Sequence, residues 1–233
     1  MSNRSVSVVI PALNEAANIQ AAVESAAVSG AFEVIVVDGG STDQTRAIAE
    51  SISEKVKVLV SSPGRATQQN AGANAASGDI LLFLHADCRL ATNCIHEIKC
   101  VVTDRKNAGG YGAFRQVIND PAWIYRWIEW GNGLRVRWMA MPYGDQGIWV
   151  RRELFEAVGG FPSVMLMEDI KLSEQLRVHG RPKLLDGPVH VGARRWQQFG
   201  PIRQTLRNWK LVVRHKMGVP PSELIKSYPQ HDA

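Results

Sequence analysis

No two cysteines in this chain stand at C-x-x-C spacing. There are three, Cys88, Cys94 and Cys100, each six residues from the next. That pattern supports neither a zinc site nor a disulfide framework, and it fits buried or inert thiols in a reducing compartment. No apolar run approaches the ~18 residues that a bilayer-spanning helix needs. The opening run Val6 to Ile10 stops at Pro11 and carries no small-residue cleavage site, so no secretory leader is expected. A Gly/Lys-rich phosphate loop is also missing near the N-terminus, which argues against a nucleotidyltransferase. There is no internal repeat, low-complexity tract or clear linker. No nucleic-acid-binding motif accompanies the net charge of +5, so nucleic acid is not an expected partner. The same charge admits nucleotide phosphates or acidic lipids.

What remains is a chain of 233 residues, 45% of them hydrophobic, enough for one large α/β domain with a full core. Two apolar runs end in carboxylates. One is Val34 to Val37, followed by Asp38-Gly39-Gly40-Ser41-Thr42-Asp43. The other is Ile80 to Leu84, followed by His85-Ala86-Asp87. Continuous apolar runs suit strands covered on both faces of a mostly parallel sheet. In such sheets ligands bind beyond the carboxyl ends of the strands.

The first half alternates strand and helix patterns. Strands are predicted at 5–10, 34–37, 56–60 and 80–84, and helices at 16–27, 43–52 and 67–76. That rhythm predicts a doubly wound parallel sheet. Pro11, lacking an N–H, is expected to stop the first ladder, with Asn14 and Glu15 opening the helix that follows. The rhythm breaks near residue 105. Gly109 to Gly112 read as a turn into a strand at 113–118. Trp123, Trp127 and Trp130 share one helical face, which serves core packing as readily as a binding surface. Gln146 to Val150 read as a strand and Leu172 to His179 as a helix. A basic helix follows at 201–217, with Ile202, Leu206, Trp209 and Val213 as its stripe. It suits an anionic membrane surface or a docked position on its own domain.

Several groups suggest chemistry. Asp38, at a strand tip, is placed to accept hydrogen bonds from a base or ribose, and Gly40 lets the backbone approach a ligand. Asp43 suits either that cleft or a helix cap. Arg65 and Asn70 flank a helix start where a guanidinium would meet a phosphate or a base edge. Asp87 is the candidate metal ligand. Beside a diphosphate at ~4 Å it would cost about 4 kcal/mol at an effective dielectric of ~20, a penalty that a divalent cation removes. Oxygen ligands favour Mg²⁺ or Mn²⁺, and the imidazole of His85 tilts the choice toward Mn²⁺. Glu168 and Asp169 open a helix, as caps favoured by its dipole or as a general base.

In order along the chain, these stations resemble the family 2 glycosyltransferases of GT-A fold. The carrying residues are Val8 to Glu15, Val36 to Asp43, Arg65 to Asn70, Ser77 to Asp87, Gly144 to Gly147, Gly159-Gly160-Phe161, Glu168-Asp169 and Arg194-Arg195-Trp196. The resemblance implies one GT-A domain: a Rossmann-like, mostly parallel central sheet flanked by helices. Residues 1 to about 105 would form its nucleotide-binding half, and about 106 to 233 its acceptor half. It implies an enzyme of the hexosyltransferase class, moving a sugar from a nucleotide diphosphate, UDP-sugar favoured, to an acceptor hydroxyl with inversion. Pro11, Ala12, Asn14, Glu15, Asp38, Gly40, Asp43, Arg65, Asn70, Ala86 and Asp87 would bind the nucleotide sugar. Asp169 would be the base, aided by Glu168. Gly144, Asp145, Gln146, Arg195 and Trp196 would face the acceptor. His85 stands where the family's metal motif has its first aspartate, and His190 is a second candidate ligand. The alternatives are a nucleotide-sugar-binding protein without turnover and a nucleotidyltransferase. The expected setting is the cytoplasm or the inner face of the membrane, with a lipid-like acceptor conceivable.

Overall fold

The computed structural model describes residues 4–103 and 110–224. Gly109 and the expected division of the chain near residue 105 lie outside them. The N-terminal portion builds β1 (Val6–Ala12), α1 (Ile19–Val28), β2 (Glu33–Asp38), α2 (Thr45–Ile52), β3 (Val56–Val60), α3 (Arg65–Ala75), β4 (Ile80–Phe83), β5 (Cys88–Leu90) and α4 (Cys94–Thr103). There follow β6 (Tyr111–Ile118), α5 (Trp123–Met139), β7 (Ile148–Arg151), α6 (Arg152–Ala157), α7 (Glu168–Leu176), β8 (Lys183–Val191), α8 (Arg194–Phe199), α9 (Pro201–Lys216) and α10 (Pro221–Leu224).

One sheet has the order β3-β2-β1-β4-β7-β6-β8-β5. Its first four strands are parallel, as the alternation predicts. Beyond β4 the sheet is mixed. β7 runs antiparallel to β4 and β6, β8 is parallel to β6, and β5 is antiparallel to β8. The purely parallel expectation is therefore corrected on that side. The strand order reverses between β1 and β4, which places a crevice at their carboxyl ends.

Alternating residues of each buried strand serve two cores. Val8, Ile10, Val34, Val36 and Leu82 pack under α1, α2 and α4. Val9, Ile35, Val37, Leu81 and Phe83 pack under α3, α6 and α7. Both faces of the parallel half are thus covered, and this explains the unbroken apolar runs.

Pro11 does not end β1. The strand continues to Ala12, with Pro11 opposite Val37. Odd residues bond toward β4, as in Ile80 N–H to Ser5 O and Leu84 N–H to Val9 O, and even residues toward β2, as in Gly39 N–H to Ala12 O. The missing N–H of Pro11 falls on the β4 side, where the ladder has already finished. One ladder stops there and the other runs on.

Other boundaries move for local reasons. Asn14 is left-handed (φ 54°) and Glu15 lies in a turn, so α1 begins only at Ile19. Asp43 stands outside α2 and accepts the N–H groups of Thr45 and Ala16. Gly144–Gln146 form a 3-10 turn ahead of β7. Helix α7 starts at Glu168, with the acid pair in its first turn as expected and ahead of the predicted 172–179 span, and its end tightens into a 3-10 turn at Arg177–His179. Cys88 and Cys94 are buried, whereas Cys100 is exposed.

A buried carboxylate knits the N-terminal strands. Glu33 accepts Ser7 Oγ–H (2.6 Å), Ser77 N–H (2.6 Å) and Ser77 Oγ–H (2.9 Å), and it meets Lys57 Nζ at 2.6 Å. Burial opposes its ionisation, but Lys57 and these donors outweigh it and hold the carboxyl at about 2, against an ordinary 4.5. A depressed carboxylate stabilises the fold above its unfolded value and loses that contribution as pH falls through the folded one. Acid is therefore expected to remove of order 3 kcal/mol between about pH 4.5 and pH 2. Urea melts of the Glu33→Gln variant should lack this acid-dependent component; an unchanged pH profile would refute the assignment.

Candidate active site

The crevice at the β1/β4 reversal opens into a cleft of ≈ 520 Å³. Each wall has a sequence cause. The end of β1 brings Pro11, Ala12 and, just beyond, Glu15. The start of α3 brings Arg65 and Gln68. The turn between β4 and β5 brings His85, Ala86 and Asp87, and is closed by Cys88 N–H bonding His85 O at 3.0 Å. Asp145 comes from the 3-10 turn, and Asp169 from the first turn of α7. The acceptor end of the cleft is walled by α5, α8 and α9, including Ile128, Asn132, Arg135, Trp196, Phe199 and Trp209.

His85 is the hub. The ligand atoms of His85, Asp87 and Cys88 lie within 4.8 Å of one another. A Cβ built on Gly144 would stand 2.5 Å from His85 Nε2 and 3.5 Å from Asp169 Oδ2. Burial pushes the His85 imidazole below its ordinary value and Arg65 adds to this, while Asp87, Asp145 and Asp169 pull the other way. The net result is a neutral ring among carboxylates, the form that binds metals. Cys88 donates its S–H to Asp87 Oδ1 at 3.4 Å, and burial, then Asp87, pushes its thiol well up. It therefore acts as a protonated buttress for Asp87. The donor set of imidazole and carboxylate fits a divalent cation such as Mn²⁺.

Asp169 is fixed from two sides. Its Oδ2 accepts Gly144 N–H at 2.7 Å and its Oδ1 accepts Ile170 N–H at 2.8 Å. The preceding Met167 is left-handed (φ 67°), an uncommon conformation for an unbranched apolar residue that turns the chain into α7 at the cleft edge. Glu168 is buried and does not line the cleft, its carboxylate 3.3 Å from Arg65 Nη1. Burial raises its pKa, Arg65 lowers it and Asp169 raises it further, with a net rise. The pair holds the Arg65 guanidinium at the cleft wall.

The structure therefore brings Pro11, Ala12, Glu15, Arg65, His85, Ala86, Asp87, Asp145, Asp169 and Trp196 to one cleft. Others are set behind it. Asp38 is only 3% exposed, and its carboxylate accepts Gly40 N–H and Ser41 N–H. Gly40 makes that turn possible with φ 92°. Asn14 bonds Ser41 and Thr42. Asn70 pins the Gly-Gly-Phe loop through two bonds with the Phe161 backbone. Gln146 is fully buried and accepts from Arg135 at 2.6 Å. His190 sits within β8 opposite Arg89, away from the His85 group. Arg194 reaches the cleft, while the Arg195 side chain lies outside the described residues.

Two groups were missed. Gln68 donates to Ala12 O and Val37 O at 2.8 and 2.9 Å and fixes the β1 and β2 tips beside the cleft. Arg135 stacks 3.4 Å over the Tyr143 ring, and both line the cleft. The helical period that aligns the tryptophans also puts Ile128, Asn132 and Arg135 on a separate face, a signal present in the sequence.

Residues 7–162 match the family described as Glycosyl transferase family 2. The chain belongs to that family. This glycosyltransferase is 26% identical over 221 residues to a "PGL/p-HBAD biosynthesis glycosyltransferase" of Mycobacterium bovis, covering 91% of this chain and 84% of the relative. Its fold matches Staphylococcus aureus TarS in complex with UDP-GlcNAc at TM-score 0.65 and 18% identity, over 81% of this chain and 58% of that one. It also matches the mannosyltransferase PcManGT of Pyrobaculum calidifontis, in complex with GDP-Man and Mn²⁺, at TM-score 0.63 and 23% identity, over 81% and 56%. The glycosyltransferase thus spans just over half the length of these solved chains, with which it shares the GT-A fold. No described helix is long and apolar enough to cross a membrane.

Proposed function

We propose that this glycosyltransferase moves a sugar, with inversion, from a nucleoside diphosphate donor (a UDP-sugar first among candidates) to a hydroxyl on a lipid-like acceptor. The observation that carries the reading is the shared contact of His85 and Asp169 with Gly144, with Asp87 beside His85. It brings the Asp169 carboxylate and the His85–Asp87 group into one cleft, which supports a base working beside a cation.

The donor's diphosphate lies by Arg65, whose guanidinium suits paired phosphate oxygens. His85 and Asp87 would hold a divalent cation, which would supply charge neutralisation for the departing diphosphate. Asp169 takes the acceptor proton as the hydroxyl oxygen forms its bond to the anomeric carbon. The bond from that carbon to the diphosphate oxygen breaks, and the electron pair leaves with the diphosphate. Glu168 holds Arg65 rather than touching the reacting atoms. On the acceptor side, Ile128, Trp196, Phe199 and Leu211 offer apolar walls, with Arg135, Arg194 and Arg207 beside them.

Release of nucleoside diphosphate from UDP-, GDP- and TDP-sugars, with and without Mn²⁺, tests this. One base class should dominate, and chelation should cut the rate by roughly tenfold or more. Turnover indifferent to chelation would remove the cation from the scheme. Silence across the donor panel with a range of apolar alcohols would overturn the reading.

A further inference from the structure

The two helices that wall the acceptor end carry matching outward surfaces, of which only Trp209 also lines the cleft. On α5, residues 123, 127, 130 and 138 fall on one arc at ~100° per residue. All four are tryptophans, 61–76% exposed. On α9 and its C-terminal cap, residues 202, 206, 209, 213 and 217 fall on an arc of the same width. They are Ile, Leu, Trp, Val and Met, 54–79% exposed. The opposite face of α9 is buried through Gln204 and Leu211, and that of α5 through Tyr125 and Val136. Each helix is therefore docked on its own domain and still presents a second apolar stripe outward. Such contiguous exposed apolar surface marks an interaction site.

Charge identifies the occupant. The span 194–217 contains no Asp or Glu. Arg203 and Lys210 flank the α9 stripe on one side and Lys216 on the other, all exposed. Arg126 and Arg137 flank the α5 stripe and are exposed. Indoles beside cations suit the headgroup level of an anionic leaflet, where the ring sits at the boundary and the basic groups meet lipid phosphates. A second copy of this chain fits poorly, because its own cations would oppose these.

We infer that α5 and α9 form a peripheral docking surface for an anionic lipid bilayer. The acceptor mouth, walled by the same two helices, then opens at the lipid surface. The docking does not depend on the sugar-transfer reading; the direction from which an acceptor enters does.

The test is sedimentation of the full chain with vesicles of phosphatidylcholine alone or with about one-third phosphatidylglycerol. Binding is expected on the anionic vesicles, with a blue shift of tryptophan emission, and should weaken as salt rises. The triple variant Trp127→Ser/Trp130→Ser/Leu206→Ser, all at exposed positions outside the cleft, should fold normally and lose roughly tenfold or more in vesicle affinity. Donor-sugar affinity in the absence of vesicles should be unchanged in it. No binding of the native chain to anionic vesicles, equal binding by the variant, or a concentration-dependent dimer that the variant abolishes would overturn the inference. No donor or turnover enters the vesicle measurement, so its failure leaves the transfer reading standing, and a failed donor panel leaves the docking standing.

Discussion

Asp169→Asn is expected to lower sugar transfer by roughly 10³-fold, within the range for a positioned general base, and to leave donor affinity within about twofold. The loss corresponds to about 4 kcal/mol of barrier. Asn has the same shape, and its carbonyl oxygen still accepts the Gly144 N–H that Asp169 binds at 2.7 Å. The Ile170 N–H that Asp169 Oδ1 accepts at 2.8 Å loses its acceptor to the amide NH₂, which costs about 1–3 kcal/mol, so the fold should hold at reduced stability. What disappears is the capacity to accept a proton from the acceptor hydroxyl. Donor contacts are assigned to other residues, Arg65 and the His85–Asp87 turn, so they should survive. Single-turnover transfer gives the first quantity and calorimetric donor titration the second. A loss smaller than tenfold would take the base role from Asp169. A parallel loss of donor binding would mean that the residue holds substrate rather than reacting with it.

The parallel half was legible because β1, β2 and β4 are buried on both faces, so Val34 to Val37 and Ile80 to Leu84 read as unbroken apolar runs ending in acids. In the mixed half β6 and β7 stand close to the strands predicted at 113–118 and 146–150, whereas β5 and β8 were hidden. β8 contains Gly187 and Pro188, residue types common in turns, yet it pairs with β6 across a register shift between Phe114 and Gln116. β5 has only three residues and gains its place through β8. α4 was missed although Cys94, Ile95, Ile98 and Val102 form its buried stripe. The tryptophan period on α5 correctly indicated a helix, but periodicity records a shared face and not which face is covered. The meeting of Asp169 with His85 arises through Gly144, a residue from a third element, and no local pattern encodes that. Asp38 shows the converse. Its position at a strand tip was readable, but its engagement with Gly40 and Ser41 was not.

Gly144→Ala carries the second large effect. Gly144 bonds Asp169 through its N–H, and its Cα faces the imidazole. The added methyl would stand 2.5 Å from His85 Nε2 and 2.9 Å from its Cε1, well inside van der Waals contact. The ring must therefore turn away. Its tip is a movable group, and Gly144 sits in a 3-10 turn that alanine adopts, so overpacking should cost no more than about 1–3 kcal/mol. The cleft suffers more. His85 leaves the position where its nitrogen stands within 4.8 Å of the Asp87 oxygen, and the carboxylate tethered to the same backbone shifts with it. A displacement of about 1 Å at a reacting centre costs on the order of 10²-fold. Transfer should fall by that factor, the Mn²⁺ concentration for half-maximal rate should rise, and thermal unfolding should move by only a few degrees. Full activity with an unchanged Mn²⁺ requirement would mean that the His85 position is irrelevant to the cation. The pairing of His85 and Asp169 across Gly144 would then be a packing contact, and the cation site would have to be sought without the imidazole.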